Sequence, residues 1–178
     1  VGAVLLGGEA VREPVRQVIV LEDAFAQADA EANVLLRGFL QSAAAALPKL
    51  STSTLAPQGF DQWRELFRLV QAREVWKHYG AFIEKQKPRL GPGIKERMEF
   101  AASVSETDAA ELRRQIPAAR EHIRGVAKPG TVLAMPSAPC TAPLISTPLA
   151  EQESFRLRVM RLTCISGISG LPQVSIPA

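Results

Sequence analysis

The sequence predicts an α/β fold, with a mixed, largely parallel β-sheet covered by helices. Three observations carry that expectation. Short β-branched or alternating runs at Gln17–Leu21, Lys49–Leu55 and Thr131–Met135 are separated by long helical patterns. Strands alternating with helices are the mark of βαβ units, whose crossovers give a parallel sheet. Apolar residues make up 47% and charged residues 22% of the 178, an ordinary globular balance that can fill one core.

Each element follows from local chemistry. Gln17-Val18-Ile19-Val20-Leu21 is an apolar run of the kind buried in parallel sheets. Ala30 to Leu47 reads as a helix with Val34, Leu35, Phe39 and Leu40 on its apolar face, stopped by Pro48. Lys49 to Leu55 alternates and completes a first βαβ unit. Phe60, Trp63, Leu66, Phe67, Val70, Val75, Trp76, Tyr79, Phe82 and Ile83 recur at helical spacing, so one long amphipathic helix holds most of the aromatics. Pro88 and Leu90-Gly91-Pro92-Gly93 end it.

Ile94–Ser103 is a further helix, with Glu96 near its positive end. Ser105-Glu106-Thr107-Asp108 has the spacing of a capping box and opens a helix toward Arg124, which Pro117 should kink or split. Thr131–Met135 is a strand after a Lys128-Pro129-Gly130 turn. Prolines 136, 139, 143 and 148 hold the next loop extended, and Thr147-Pro148 fits an N-cap and first helical position. Phe155, Val159, Leu162 and Ile165 form the face of the following helix, ended by Gly167 and Gly170. Gln173–Ile176 is then expected as a last strand, closing a second βαβ unit.

Composition narrows the function classes. With 21 basic and 18 acidic residues the net charge is +3, and no dense basic patch points to nucleic acid. No apolar run reaches the roughly 18 residues of a membrane span. Two cysteines exclude a disulfide scaffold, and reduced thiols in a cytoplasmic protein are the expected state. The chain opens without Met inside an apolar run, lacks a basic leader there, and closes directly after a strand-like segment. Both ends therefore read as cuts in a longer protein.

The candidate chemistry is sparse. His78 and His122 have no neighbouring ligand pattern, so no metal site is expected and structural histidines are the better reading. Gly91-Pro92-Gly93 and Gly167-Ile168-Ser169-Gly170 lack phosphate-loop and dinucleotide patterns, so no cofactor is expected. Cys140 could act as a nucleophile only beside a group that lowers its pKa, and the sequence names none. Arg113, Arg114, Arg120 and Arg124 are interrupted by Glu111 and Glu121, as on a solvated, salt-bridged face. The loop from Pro136 to Pro148 is the best site on physics alone. It leaves the carboxyl end of a strand, where α/β sheets bind ligands, and its prolines make it stiff. Ser137, Cys140 and Thr141 are the substrate-binding candidates within it; a stiff crossover connection is the plain alternative.

At this loop the sequence resembles the amidase signature family. The resembling residues run from Gly130-Thr131-Val132-Leu133-Ala134-Met135-Pro136 to Pro139, continue through Ser154-Phe155-Arg156, and close with Ser169-Gly170-Leu171-Pro172-Gln173-Val174-Ser175-Ile176-Pro177. Upstream, Phe67–Gln71, Pro88–Ile94 and Arg97 look like the plant branch, which contains indole-acetamide hydrolases and an amidase-like receptor of the chloroplast outer envelope. Val1–Leu6 looks like the helix that follows the family's signature. The resemblance covers nearly the whole chain.

The resemblance implies a Ser nucleophile, a second Ser held by a cis peptide and a Lys base. Both serines belong to a Gly/Ser-rich stretch that lies upstream of everything present here. Ser166-Gly167-Ile168-Ser169-Gly170 does not match that stretch, so no catalytic residue is assigned. The expectation is one partial amidase-like domain over 1–178, with a helical insertion at about 57–126. It would be a segment of an enzyme that splits the C–N bond of a small, indole-acetamide-like amide, and inactive alone. The alternative is a non-catalytic, import-receptor-like module that binds protein. Open strand edges would make the isolated chain associate, a homodimer being one form.

Overall fold

A computed structural model of the chain describes residues 14–91 and 93–176. Its element order is β1 (Gln17–Leu21), α1 (Glu22–Phe25), α2 (Ala30–Ala43), β2 (Lys49–Ser53), α3 (Asp61–Gln86), α4 (Ile94–Ser103), α5 (Glu106–Arg113), α6 (Ile116–Val126), β3 (Thr131–Ala134) and α7 (Leu149–Ser169). The expected helix at Val1–Leu6 and the turn residue Pro92 lie outside the described residues.

The three strands form one sheet in the order β2-β1-β3, parallel throughout. In register, Val18 sits between Leu50 and Val132, and Ile19 between Ser51 and Leu133. Parallel pairing requires long crossovers, and the chain supplies them as α1–α2 and as the helices α3 to α6. The central strand is buried from Val18 to Leu21, as its unbroken apolar run demands. Side chains alternate across the pleat. Ile19 and Leu21 join Leu133 in the main core, with Leu66 and Val70 of α3, Ile123 of α6, and Leu162, Ile165 and Ile168 of α7. On the other face, Leu50 and Val132 flank Val18 and remain 41% and 43% exposed.

The helices pack as a layer against that core: α3 against α4, α5 and α7, and α6 against α7. Pro117 stands in the first turn of α6, so the expected helix from Ser105 is split in two there. Ser105 caps α5: its Oγ accepts from the Asp108 N–H at 3.0 Å and donates to Asp108 Oδ2 at 2.6 Å. The long helix α3 stops at Lys87, whose left-handed φ of 45° lets its N–H donate to the Ile83 carbonyl.

Four expectations are corrected. Helix α2 ends at Ala43 and buries no residue, with Val34 and Leu35 at 71% and 63% exposure. Its inward side is set instead by Asn33 and Arg37: Asn33 Nδ2 donates to the Phe25 carbonyl, and Arg37 forms a forked pair with Glu22. At 3.6 residues per turn Val34 and Leu35 lie roughly 100° and 200° round the helix from Asn33, so they face away. Gly167 does not end α7; the helix continues to Ser169 and stops at Gly170 with φ 67°. Pro148, expected as the first helical residue, is the N-cap instead, a shift of one position. Gln173–Ile176 pairs with no strand, and Val174 and Ile176 are 83% and 67% exposed. A strand needs a partner ladder, and among the described residues this segment pairs with none of the three strands.

Candidate functional site

The carboxyl ends of the three parallel strands converge on one side of the sheet. Asp23, two residues after β1, ties this side together. Its Oδ2 accepts from the backbone N–H groups of Leu55 (2.9 Å) and Ala56 (2.6 Å) just beyond β2, and its Oδ1 from Ala24 at 3.1 Å. With three backbone donors the carboxylate is a brace for the loop after β2.

A second brace holds the loop after β3. The Asp29 N–H donates to the Pro139 carbonyl at 2.8 Å, and Arg158 of α7 donates to Asp29 Oδ1 at 2.6 Å and to the Gln27 carbonyl at 2.8 Å. The hydrogen bond from Arg158 pulls the Asp29 carboxyl below its ordinary range. Cys140 lies against this pair. Burial, and then the Asp29 charge, push its thiol up. A raised thiol carries less thiolate, so Cys140 lacks the activation a nucleophile needs. Ser137 and Thr141 stand exposed on the same loop. The structure brings Cys140 to Asp29 and leaves both hydroxyl residues facing solvent. Pro136 and Pro139 are buried and anchor the loop between them.

The remaining chemistry-bearing residues have local roles. Cys164 is buried, its Sγ within 3.3 Å of the Arg161 carbonyl, and burial pushes its thiol up to about 12. Ser166 and Ser169 donate to the carbonyls of Thr163 and Ser166 within α7. His122 Nε2 lies 2.8 Å from the Leu55 carbonyl, and its ring is tilted against Trp63 at 5.8 Å between centroids. His78 is exposed on α3. Among the described residues no group of three His, Cys, Asp or Glu could hold a metal ion.

Two hollows open among these elements. The larger, about 1100 Å³, lies between α3, α4, the start of α7 and the far half of the Pro136–Pro148 loop, where Pro143, Leu144 and Ile145 line it. The smaller, about 600 Å³, opens beyond β2 between Leu55–Gly59, Trp63 and the α6 residues Ala118, Ala119 and His122. Ser137, Cys140 and Thr141 line neither. Sequence reasoning found the loop but missed the larger hollow. The available signal was Leu144-Ile145, two apolar residues inside a Pro/Ser/Thr loop, which stand 75% and 104% exposed.

Comparison with known proteins adds to this geometry. No protein-family model matches the chain. It is 36% identical over 110 residues to Amidase 1 of Arabidopsis thaliana, covering 62% of this chain and 26% of that protein. It is 31% identical over 113 residues to Amidase 1 of Oryza sativa subsp. japonica, covering 63% and 26%. The chloroplastic Outer envelope protein 64 of Arabidopsis thaliana is 25% identical over 142 residues, covering 80% and 23%. In fold, a crystal structure of an amidase matches with a TM-score of 0.78 at 16% identity, over 94% of this chain and 40% of that one. The chain thus spans about a quarter of the length of these curated relatives.

Proposed function

We propose that this chain, an amidase-type segment by sequence and fold, forms one wall of the substrate pocket of a C–N hydrolase acting on a small, indole-acetamide-like amide. The kinship with two proteins named Amidase 1, on a fold like that of an amidase, is what carries the reading. Amide hydrolysis needs an activated nucleophile and hydrogen-bond donors for the oxyanion. In this reading a Ser nucleophile, with its Ser and Lys partners, lies outside the 178 residues. The chain contributes positioning. The loop after β3, clamped through Asp29 and Arg158, presents Ser137 and Thr141 to the amide with Cys140 between them, and a clamped loop loses less entropy on binding.

The same reading takes residues 1–178 as one partial domain, with the helices of about 57–126 inserted between β2 and β3. Among the described residues no helix is long and apolar enough to cross a membrane. A cytoplasmic location, a small amide as the bound partner and self-association through open strand edges belong to the proposal.

The test uses the native polypeptide that contains this sequence, purified from its source. Ammonia release from indole-3-acetamide, with fluorophosphonate labelling of a serine outside residues 1–178, is expected. The isolated 178-residue chain is expected to show neither. Hydrolysis by the isolated chain, or absence of both signals in the native polypeptide, overturns the reading.

A further inference from the structure

The larger hollow has a charge pattern that the amide reading does not use. Arg68 of α3, Arg97 of α4 and Arg156 of α7 converge on it from three helices. Two of the three are engaged. Through Nε and Nη2 respectively, Arg156 donates to Glu153 at 2.9 and 2.6 Å, and Arg68 to Glu65 at 3.0 and 2.6 Å. Among the described residues Arg97 makes no side-chain hydrogen bond and no ion pair; it acts on Glu153 only through space, as Arg68 also does. The other acidic side chain lining the hollow is Glu96.

Around these charges the walls are apolar. The Arg68 guanidinium lies 3.9 Å from the centroid of the Phe100 ring, which fixes it as part of the floor. Met98 and Leu144 line the same hollow. An apolar trough with a guanidinium lacking its own carboxylate complements a molecule with an apolar body and one anionic end. Arginine also suits a carboxylate geometrically, since its planar fork matches two oxygens.

We propose that this hollow binds an amphipathic organic carboxylate, with its acid group on Arg97 and its apolar body along Phe100, Met98 and Leu144. The site is independent of whether the whole protein hydrolyses amides, because it needs neither nucleophile nor turnover.

The test is calorimetric titration of the native polypeptide that contains this sequence with octanoate and with its neutral counterpart octanamide. Octanoate is expected to bind about tenfold tighter, the size of one charge-assisted hydrogen bond. Added salt should narrow that gap. Arg97→Gln is expected to abolish the preference and leave octanamide binding unchanged, while Arg97→Lys restores part of it. Arg97 is exposed, so circular dichroism should show each variant folded. Equal binding of the two probes, no binding of octanoate, or a preference that survives in Arg97→Gln overturns the proposal. Mass spectrometry of the recovered octanamide keeps hydrolysis, a separate matter, apart from binding.

Discussion

Gly167 lies against the Phe67 ring, so close that a Cβ on Gly167 would meet Phe67 Cζ at 2.9 Å and Cδ2 at 3.0 Å. Here α7 packs against α3, and glycine is present for space, since a helical position needs no left-handed φ. Gly167→Ala gains about 1 kcal/mol of helix propensity but forces the ring to move, at a cost of about 1–3 kcal/mol. We expect a net loss of stability and a lower Tm by calorimetry. Gly38→Ala in α2 meets nothing within 4 Å and should instead gain most of the propensity term. If both variants shift Tm in the same direction, the packing account of Gly167 fails.

Removing the Asp23 brace should be costly. Asp23→Ala leaves the N–H groups of Leu55 and Ala56 without their acceptor, where neighbouring Leu55 and Ala56 are buried. A loss of about 2 kcal/mol is expected from urea denaturation, and Asp23→Asn, which keeps one oxygen, should lose less. Equal stabilities for wild type and Asp23→Ala would show that water replaces the carboxylate.

Glu106 joins two helices: Arg73 of α3 donates to it at 2.9 Å and Arg113 of α5 at 2.7 Å. The two hydrogen bonds, Arg73's the larger, hold its carboxyl at about 2 against an ordinary 4.5. A pKa depressed on folding stabilises above the unfolded value and is lost as pH falls through the folded one. This contribution should therefore be complete above about pH 4.5 and fade toward pH 2. Carboxyl NMR titration reads the pKa directly, and high salt should raise it, because the pair is solvent-exposed. A Glu106 midpoint near 4.5 at low salt would remove the bridge.

The thiols should be slow to react. Burial raises both, with Cys164 at about 12, so a disulfide reagent at mildly alkaline pH should modify native protein far more slowly than unfolded protein. Cys140, half-buried, should react before Cys164. Asp29→Asn removes a negative charge beside Cys140 and should speed its labelling several-fold. Unchanged labelling would mean that burial alone controls this thiol.

Much of the architecture was legible because it is locally encoded. The β-branched run at Val18–Val20, the helix Ile94–Ser103, the cap at Ser105 and the break at Pro117 each depend on neighbours in sequence, and each stands where the pattern placed it. The misreadings depend on distant partners. Val34 and Leu35 face outward because Asn33 and Arg37 are claimed by Phe25 and Glu22. Gly167 looks like a helix stop until Phe67, a hundred residues away, is seen beneath it. Gln173–Ile176 has a strand's composition and no ladder to join. The loop after β3 was visible from its prolines, but the arginines of the larger hollow come from three separate helices and share no motif spacing.

The sheet order also sets a sequence of events in folding. β1 finds β2 after a connection of about thirty residues, but Gln17 meets Thr131 across a separation of 114. Loop-closure entropy grows only logarithmically, so the longer closure costs roughly 1 kcal/mol more. The larger effect is temporal. At the ribosome the β1–α2–β2 unit can form while β3 is still unmade, and the four intervening helices must emerge before the central strand gains its second neighbour. Until then Val18–Leu21 presents a bare apolar edge, and that interval is when a nascent chain of this design most needs a chaperone.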